Sequence, residues 1–234
     1  MFVLDRIRII FRNCSFIRFV FNPINNIIRS YMNHKANVAF KRYGLEAFNL
    51  FVTTLNSKGI LFWPEFGTLL GIYRDNDFIP HDNDFDFGAP IYLRDRINKV
   101  LCEVGFSYKH GYFCPELDYI REDTFYYKGV GLDIFYFHNE GDYDYCYTFL
   151  PASISDSQIE YSIKIFRFGK VSLKEIEFKG MNITIPADTN NHLIVSYGPN
   201  YMTPDPSFKS INHNYLAGHY AYLSAVIDNL THNA

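Results

Sequence analysis

The chain has 234 residues, 48% of them apolar and 18% aromatic, with a net charge of −3. That length and composition predict one sizeable domain and exclude wholesale disorder. No run of 18 apolar residues occurs, which argues against a membrane-spanning helix. Charge is unevenly placed: residues 1–42 carry eight Lys or Arg against one acid, Asp5, so a basic leader precedes an acidic body.

In chain order, residues 1–35 read as a basic, apolar, helical leader. Ile7, Ile10, Phe11, Cys14, Ile17 and Phe21 share one helical face, with Arg8, Arg12 and Ser15 opposite and Phe16 and Phe19 interrupting the polar side. The leader has no clean apolar core and no small-residue cleavage site, so it is not read as a signal peptide. Two roles fit it: a helix packed on the domain or on a second subunit, or a segment of residues 1–30 lying on an anionic membrane surface. Pro23 with Asn22, Asn25 and Asn26 is expected to break the leader from a single domain over residues 36–234.

Residues 36–58 predict a helix with Val38, Leu45, Phe48, Phe51, Val52 and Leu55 on its apolar face, ending on Gly59. "ILFWP" reads as a short buried strand, and Gly67–Ile72 as a turn into a short helix that carries Arg74. "NDFDF" alternates and predicts a strand; residues 92–104 return to helical spacing. "GLDIFYF" (131–137) is strongly strand-prone, and residues 174–186 predict a hairpin turning at Lys179-Gly180 and ended by Pro186. A helix is expected over residues 213–230. Strands and helices mix without a βαβα rhythm, which predicts an α+β domain: a mixed β-sheet flanked by helices.

The chemistry concentrates in residues 65–88, "EFGTLLGIYRDNDFIPHDNDFDFG". On an extended strand Asp84 and Asp86 face one side about 6.5–7 Å apart, with Asp82 beside them, while Phe85 and Phe87 face a core. Unpaired carboxylates at that spacing raise one another's pKa; a shared Mg²⁺ or Mn²⁺ relieves the conflict, because hard cations take oxygen ligands. A solvated acidic turn and a structural calcium site are the competing readings. An EF-hand fails, because Gly88 comes one residue late and Leu93 stands where the bidentate Glu belongs. Ahead of the aspartates, Gly67 and Gly71 permit close backbone approach, Thr68 offers a hydroxyl, and Arg74 is placed to clamp a phosphate. Asp133, an isolated charge in an apolar run, is a further metal ligand, a general base, or a solvent-facing strand end. Asp118, Glu122 and Asp123 are alternatives that nothing nearby marks out.

The four cysteines lack CxxC spacing and read as reduced thiols of a cytoplasmic protein. A zinc site from His110, Cys114 and Cys146 competes there with ordinary packing, which is the stronger reading. The excess of basic over acidic residues is confined to the leader and the aromatics are scattered, so nucleic acid is not an expected partner.

"GTLLGIYRDNDFIPHDNDFDFG" resembles the signature of the LicD/fukutin-related family, roughly GTLLGxxR…FIPWDDDIDI. "ILFWPEF" resembles its aromatic lead-in, "GLDIF" its downstream Asp-Ile-Phe motif, and "SYGPNYMTPDP" its C-terminal Tyr-Gly…Tyr-Met…Pro segment. The resemblance spans about residues 45–206 and implies a nucleotidyltransferase-type fold. It also implies transfer of a substituted phosphate, such as phosphocholine or an alditol phosphate, from a CDP-activated donor to a glycan. By position, Gly67, Thr68 and Arg74 would bind donor phosphates, Asp84 and Asp86 would hold Mg²⁺ with Asp82 in support, and Asp133 would be ligand or base. Tyr197, Gly198 and Tyr201 would belong to a donor- or acceptor-side loop. His81 replaces the family's usual Trp and is placed against substrate; Asn83 replaces its middle Asp and faces away from the metal.

The expected activity is therefore Mg²⁺-dependent transfer to a sugar hydroxyl of a cell-surface polysaccharide or glycolipid, with release of CMP, in the cytoplasm or at the inner face of the membrane. Capsule or lipopolysaccharide modification suits it, with a lipid-linked glycan among the acceptors. Transfer of a nucleoside monophosphate to a sugar phosphate, protein or RNA is the first alternative, and a non-catalytic metal- or glycan-binding module the second.

Overall fold

A computed structural model describes residues 15–114, 120–155, 158–205, 208, 220–224 and 226–228. Helix α1 (Ser15–Ser57) leads through β1 (Trp63–Pro64) to α2 (Phe66–Leu70), which runs on as a π-helical turn, Gly71–Asp75. Strand β2 (Asp84–Pro90), a 3-10 turn (Ile91–Leu93), α3 (Arg94–Glu103), β3 (Ser107–Cys114), β4 (Ile120–Tyr127) and β5 (Val130–Glu140) follow. Then come β6 (Tyr143–Ser155), β7 (Gln158–Gly169), the hairpin β8 (Leu173–Phe178) and β9 (Met181–Pro186), α4 (Thr189–Tyr197), β10 (Tyr220–Ser224) and β11 (Val226–Asp228).

The large sheet runs β10-β7-β6-β5-β4-β3-β11, with β2 beside β5 and β1 beside β2. The β2–β5 pair is parallel and every other pair is antiparallel, so the domain is α+β with a mixed sheet flanked by helices, as expected. Strand β5 joins the two halves: its beginning lies between β2 and β4, and His138–Glu140 pair with β6.

The alternation of "DFDF" does what it predicts. Phe85 and Phe87 are buried against α1, where Phe51 stacks on Phe87 at 3.9 Å and Phe48 meets both rings. That aromatic block holds β2 in register and leaves its aspartates on the opposite face. The hairpin turn lies where expected: Lys179 and Gly180 both have positive φ (49° and 77°), the conformation of a two-residue turn.

Four expectations are corrected. Pro23 does not break the chain: α1 is continuous from Ser15 to Ser57. Proline deletes one N–H from the helical ladder, and a helix of 43 residues absorbs one missing bond. Val38 and Leu45 are not on the packed face but 51% and 49% exposed; the inward side is built from Phe40, Ala47, Phe48, Phe51, Val52 and Leu55. "ILFWP" yields only the two-residue β1, because β2 offers it just Gly88 and Phe87 as partners. Where described, residues 213–230 are the strands β10 and β11, which cover the otherwise open edges of β7 and β3. Residues 1–14 and Asp118 lie outside the described residues. Among those described, no helix is long and apolar enough to cross a membrane.

Candidate active site

Glu65 ends the aromatic lead-in and caps α2, its carboxylate accepting from the Phe66 N–H. The Glu65 N–H in turn donates to the Asp86 carbonyl (2.9 Å), and the Asp86 N–H donates to the Thr68 hydroxyl (2.8 Å). The Gly-Thr turn is thereby bound directly to β2. Thr68 is buried and its hydroxyl secures this join, so it does not face a donor phosphate as the resemblance implied. The Gly67 N–H likewise donates to Asp86 Oδ2 (3.2 Å) rather than standing open to a phosphate.

Gly67 is bare for a reason of space. A Cβ there would lie 2.8 Å from Asp82 Oδ2 and 3.4 Å from Asp86 Oδ2, so both carboxylates close on this one backbone position. Gly71 serves another purpose: its Cβ would strike the Asp77 carbonyl at 2.6 Å, so it permits the turn to fold on itself.

Parallel pairing sets Asp86 beside Asp133, and the Thr124 hydroxyl donates to Asp133 Oδ1 at 2.6 Å. Four acids thus share one corner of the sheet. Burial, then the Asp84 charge, pushes Asp82 up to about 6, against the relief that His81 and Arg74 supply. Burial and Asp84 lift Asp133 to about 7. Burial raises Asp84, and burial with the charges of Asp84, Asp133 and Asp82 holds Asp86 well above the carboxylate range. Behind them Glu122 is raised by burial and by Asp133, and accepts the Phe149 N–H.

Beside this corner opens a cavity of about 900 Å³. Gly67, Arg74, His81 and Asp82 form one wall and Tyr197 and Tyr201 the other, which brings six of the predicted residues together. Burial and the charges of Asp86, Asp82 and Glu65 hold the Tyr197 phenol protonated well above its usual range. Tyr201 donates to Asn190 Oδ1 at 2.8 Å, and Gly198 (φ 85°) is the turn that ends α4. Arg74 directs its fork at Asp75 (Nε–Oδ1 2.9 Å, Nη2–Oδ2 2.8 Å), and its Nη1 reaches the Tyr201 carbonyl at 3.4 Å across the cavity.

The donor set is all oxygen, crowded and short of positive charge, which fits a hard divalent cation such as Mg²⁺ or Mn²⁺. As they stand, no three His, Cys, Asp or Glu side chains among the described residues are grouped so as to hold a metal ion. The zinc alternative fares no better: Cys146 is packed among Trp63, Phe135, Phe137, Phe166 and Phe168, and the Cys114 side chain lies outside the described residues.

Sequence reasoning missed the supports beneath the site. Glu65, completely buried, accepts from Trp63 Nε1 (2.8 Å) and meets His192 Nε2 (2.7 Å), which joins α2 to α4 under the two cavity walls. His192 stacks on Phe168 at 3.9 Å. Asp123 is also fully buried and holds α3 to the sheet through Arg94. A charged residue inside an aromatic lead-in was the available signal for Glu65; His192 and Asp123 carried none, because their partners are 127 and 29 residues away.

A family described as "LicD/FKTN/FKRP, nucleotidyltransferase domain" matches residues 59–188. The chain is 29% identical over 175 residues to the human "Ribitol-5-phosphate transferase FKTN" and 28% identical over 171 residues to the mouse protein of that name. Each alignment covers 71% of this chain but 35% of the relative, so the chain spans little more than the matching region of longer proteins. Among solved structures, the lincosamide antibiotic adenylyltransferase LnuA with bound lincomycin is similar at a TM-score of 0.41 and 10% identity, covering 69% of this chain and 94% of that one.

Proposed function

The chain belongs to the LicD/FKTN/FKRP nucleotidyltransferase-domain family, and from that premise we propose that it transfers a substituted phosphate from a CDP-activated donor to a sugar hydroxyl, releasing CMP. The acceptor belongs to a cell-surface polysaccharide or a lipid-linked glycan. The curated relatives bear the name ribitol-5-phosphate transferase, which makes an alditol phosphate the first group to test. The observation that carries the reading is the crowding of Asp82, Asp84, Asp86 and Asp133 beside a cavity walled by Arg74 and Tyr197. Carboxylates raised by burial and by one another at the edge of a cavity make a functional-site candidate.

Each side chain has a chemical part. Asp84 and Asp86, with Asp82 and Asp133 beside them, would hold Mg²⁺ or Mn²⁺. Bound there, the cation supplies charge neutralisation at the donor's diphosphate. Arg74 faces the cavity and binds a phosphate oxygen by exchanging its fork from Asp75. Asp133, lifted to about 7, suits proton transfer near neutral pH, and Thr124 holds one of its oxygens in place. The acceptor oxygen forms a bond to the phosphorus that keeps the substituent, its proton passes to Asp133, and the bond from that phosphorus to the CMP oxygen breaks. Tyr197, Tyr201 and His81 bound the space for the donor.

Incubation with CDP-ribitol, CDP-choline and CDP-glycerol in the presence of Mg²⁺ and a glycan acceptor tests the proposal by its nucleotide product. CMP release that depends on acceptor is the expected result. Pyrophosphate release from a nucleoside triphosphate would assign the site to nucleotidyl transfer instead. If no cytidine nucleotide raises the melting temperature, the donor class is wrong.

A further inference from the structure

The C-terminal half of α1 packs on the domain through Phe40, Ala47, Phe48 and Phe51, but its opposite side is bare. Ile27, Tyr31, Val38 and Leu45 are 68%, 65%, 51% and 49% exposed. At 3.6 residues per turn these four lie within about 40° of one another around the helix axis, roughly opposite Phe40 and Ala47, in a stripe about 27 Å long. Arg42 and Lys35 flank that sector about 20° and 40° beyond one edge and Lys41 about 40° beyond the other, all three exposed. Arg42 lies over the Tyr43 ring at 5.1 Å. No Asp or Glu occurs from residue 6 to residue 45, and the first acid beyond, Glu46, is neutralised by Lys128 at 2.6 Å.

We infer that the outer face of α1 from Ile27 to Leu45 docks on an anionic lipid bilayer. Three observations select that occupant. Apolar side chains at helical spacing flanked by lysine and arginine match an acyl boundary under negatively charged headgroups, with the long basic chains reaching outward to the phosphates. A second copy of the chain would set the same basic, acid-free face against itself, and like charges at that range repel. A nucleic acid would leave the apolar centre of the stripe without a partner. Because no described helix is apolar enough to cross, the helix lies in the plane of the surface. This surface shares residues 27–30 with the expected contact through residues 1–30 and extends beyond it to Leu45, and it does not depend on the catalytic reading.

Co-sedimentation of the full chain with phosphatidylcholine vesicles, with and without phosphatidylserine, reads the proposal directly. Binding to the phosphatidylserine vesicles alone is expected. The variant K35Q/K41Q/R42Q should weaken it on the order of a hundredfold, since each basic group contributes about fivefold near such a surface. Y31S/V38S should weaken it as well, and both variants should keep the parent melting temperature because all five side chains are exposed. Absence of binding, or equal binding to neutral vesicles by parent and variants, overturns the inference. So does a dimer in sedimentation velocity that Y31S/V38S dissolves, which would assign the face to a second copy.

Discussion

Asp123 and Asp133 stand on neighbouring strands, yet the two carboxylates are treated in opposite ways. Asp123 receives a fork from Arg94 (Nε 2.8 Å, Nη2 3.1 Å), with Asn98 Nδ2 at 3.3 Å and the Tyr108 hydroxyl at 3.2 Å. Among the described residues Asp133 receives a single hydroxyl, from Thr124, and faces Asp84 and Asp86 across the parallel pair. One acid comes with every donor it needs and fastens α3 to the sheet. The other is gathered with like charges and left short, which costs stability and is tolerated where a cation or substrate is to supply the missing charge. Burial of a carboxylate therefore says little about its role; the identity of its neighbours says much more.

The difference is sharpest under substitution. Asp84→Asn should lower turnover on the order of a thousandfold, as expected for losing a group that stabilises transition-state charge, while the melting temperature stays level or rises because one repelling charge is gone. Parallel turnover assays and thermal melts check both, and a large drop in melting temperature would place Asp84 with the structural acids. Asp123→Ala should do the reverse. Stranding Arg94 costs about 3–5 kcal/mol, or roughly 10 °C in a chain of this size, and a melt unchanged within a degree would break the comparison.

The smallest expected effect is on pH dependence. Asp82 at about 6 and Asp133 at about 7 lie above the ordinary 3.8, so the folded protein binds more protons than the unfolded chain across that interval. Their contribution is greatest at low pH and is lost as pH rises through 6 and 7. In chelator the melting temperature should fall by a few degrees between about pH 5 and pH 8, and Mg²⁺ should flatten the slope. Asp75 and Asp77, lowered by Arg74 and Lys179, act with the opposite sign and only below pH 4. A melting temperature that rises with pH in chelator would show that the four acids do not repel as described.

Local pattern made much of this legible. The alternation of "NDFDF" placed Phe85 and Phe87 in the core and the aspartates on the opposite face, because period 2 is a property of the strand itself. The hairpin at Lys179-Gly180, the helix after residue 92 and the strand carrying Asp133 were readable for the same reason. The parts that failed were those where a neighbour decides. Pro23 opposes a helix by its own geometry, yet the long ladder of α1 runs through it, and Val38 and Leu45 are apolar yet exposed. Residues 213–230 predict a helix by themselves, but the open edges of β7 and β3 take their described part as strands.

What the sequence by itself determined is the alternation, the turn chemistry and the motif order that together announce an acidic site behind a Gly-Thr turn. Only the tertiary structure decided that Thr68 and the Gly67 N–H serve Asp86, that Glu65 reaches His192, and that Asp123 is satisfied where Asp133 is not. The physical reason is range. Periodicity and backbone preference act within a few residues, whereas a carboxylate's charge state and partners depend on groups that folding brings from more than a hundred positions away.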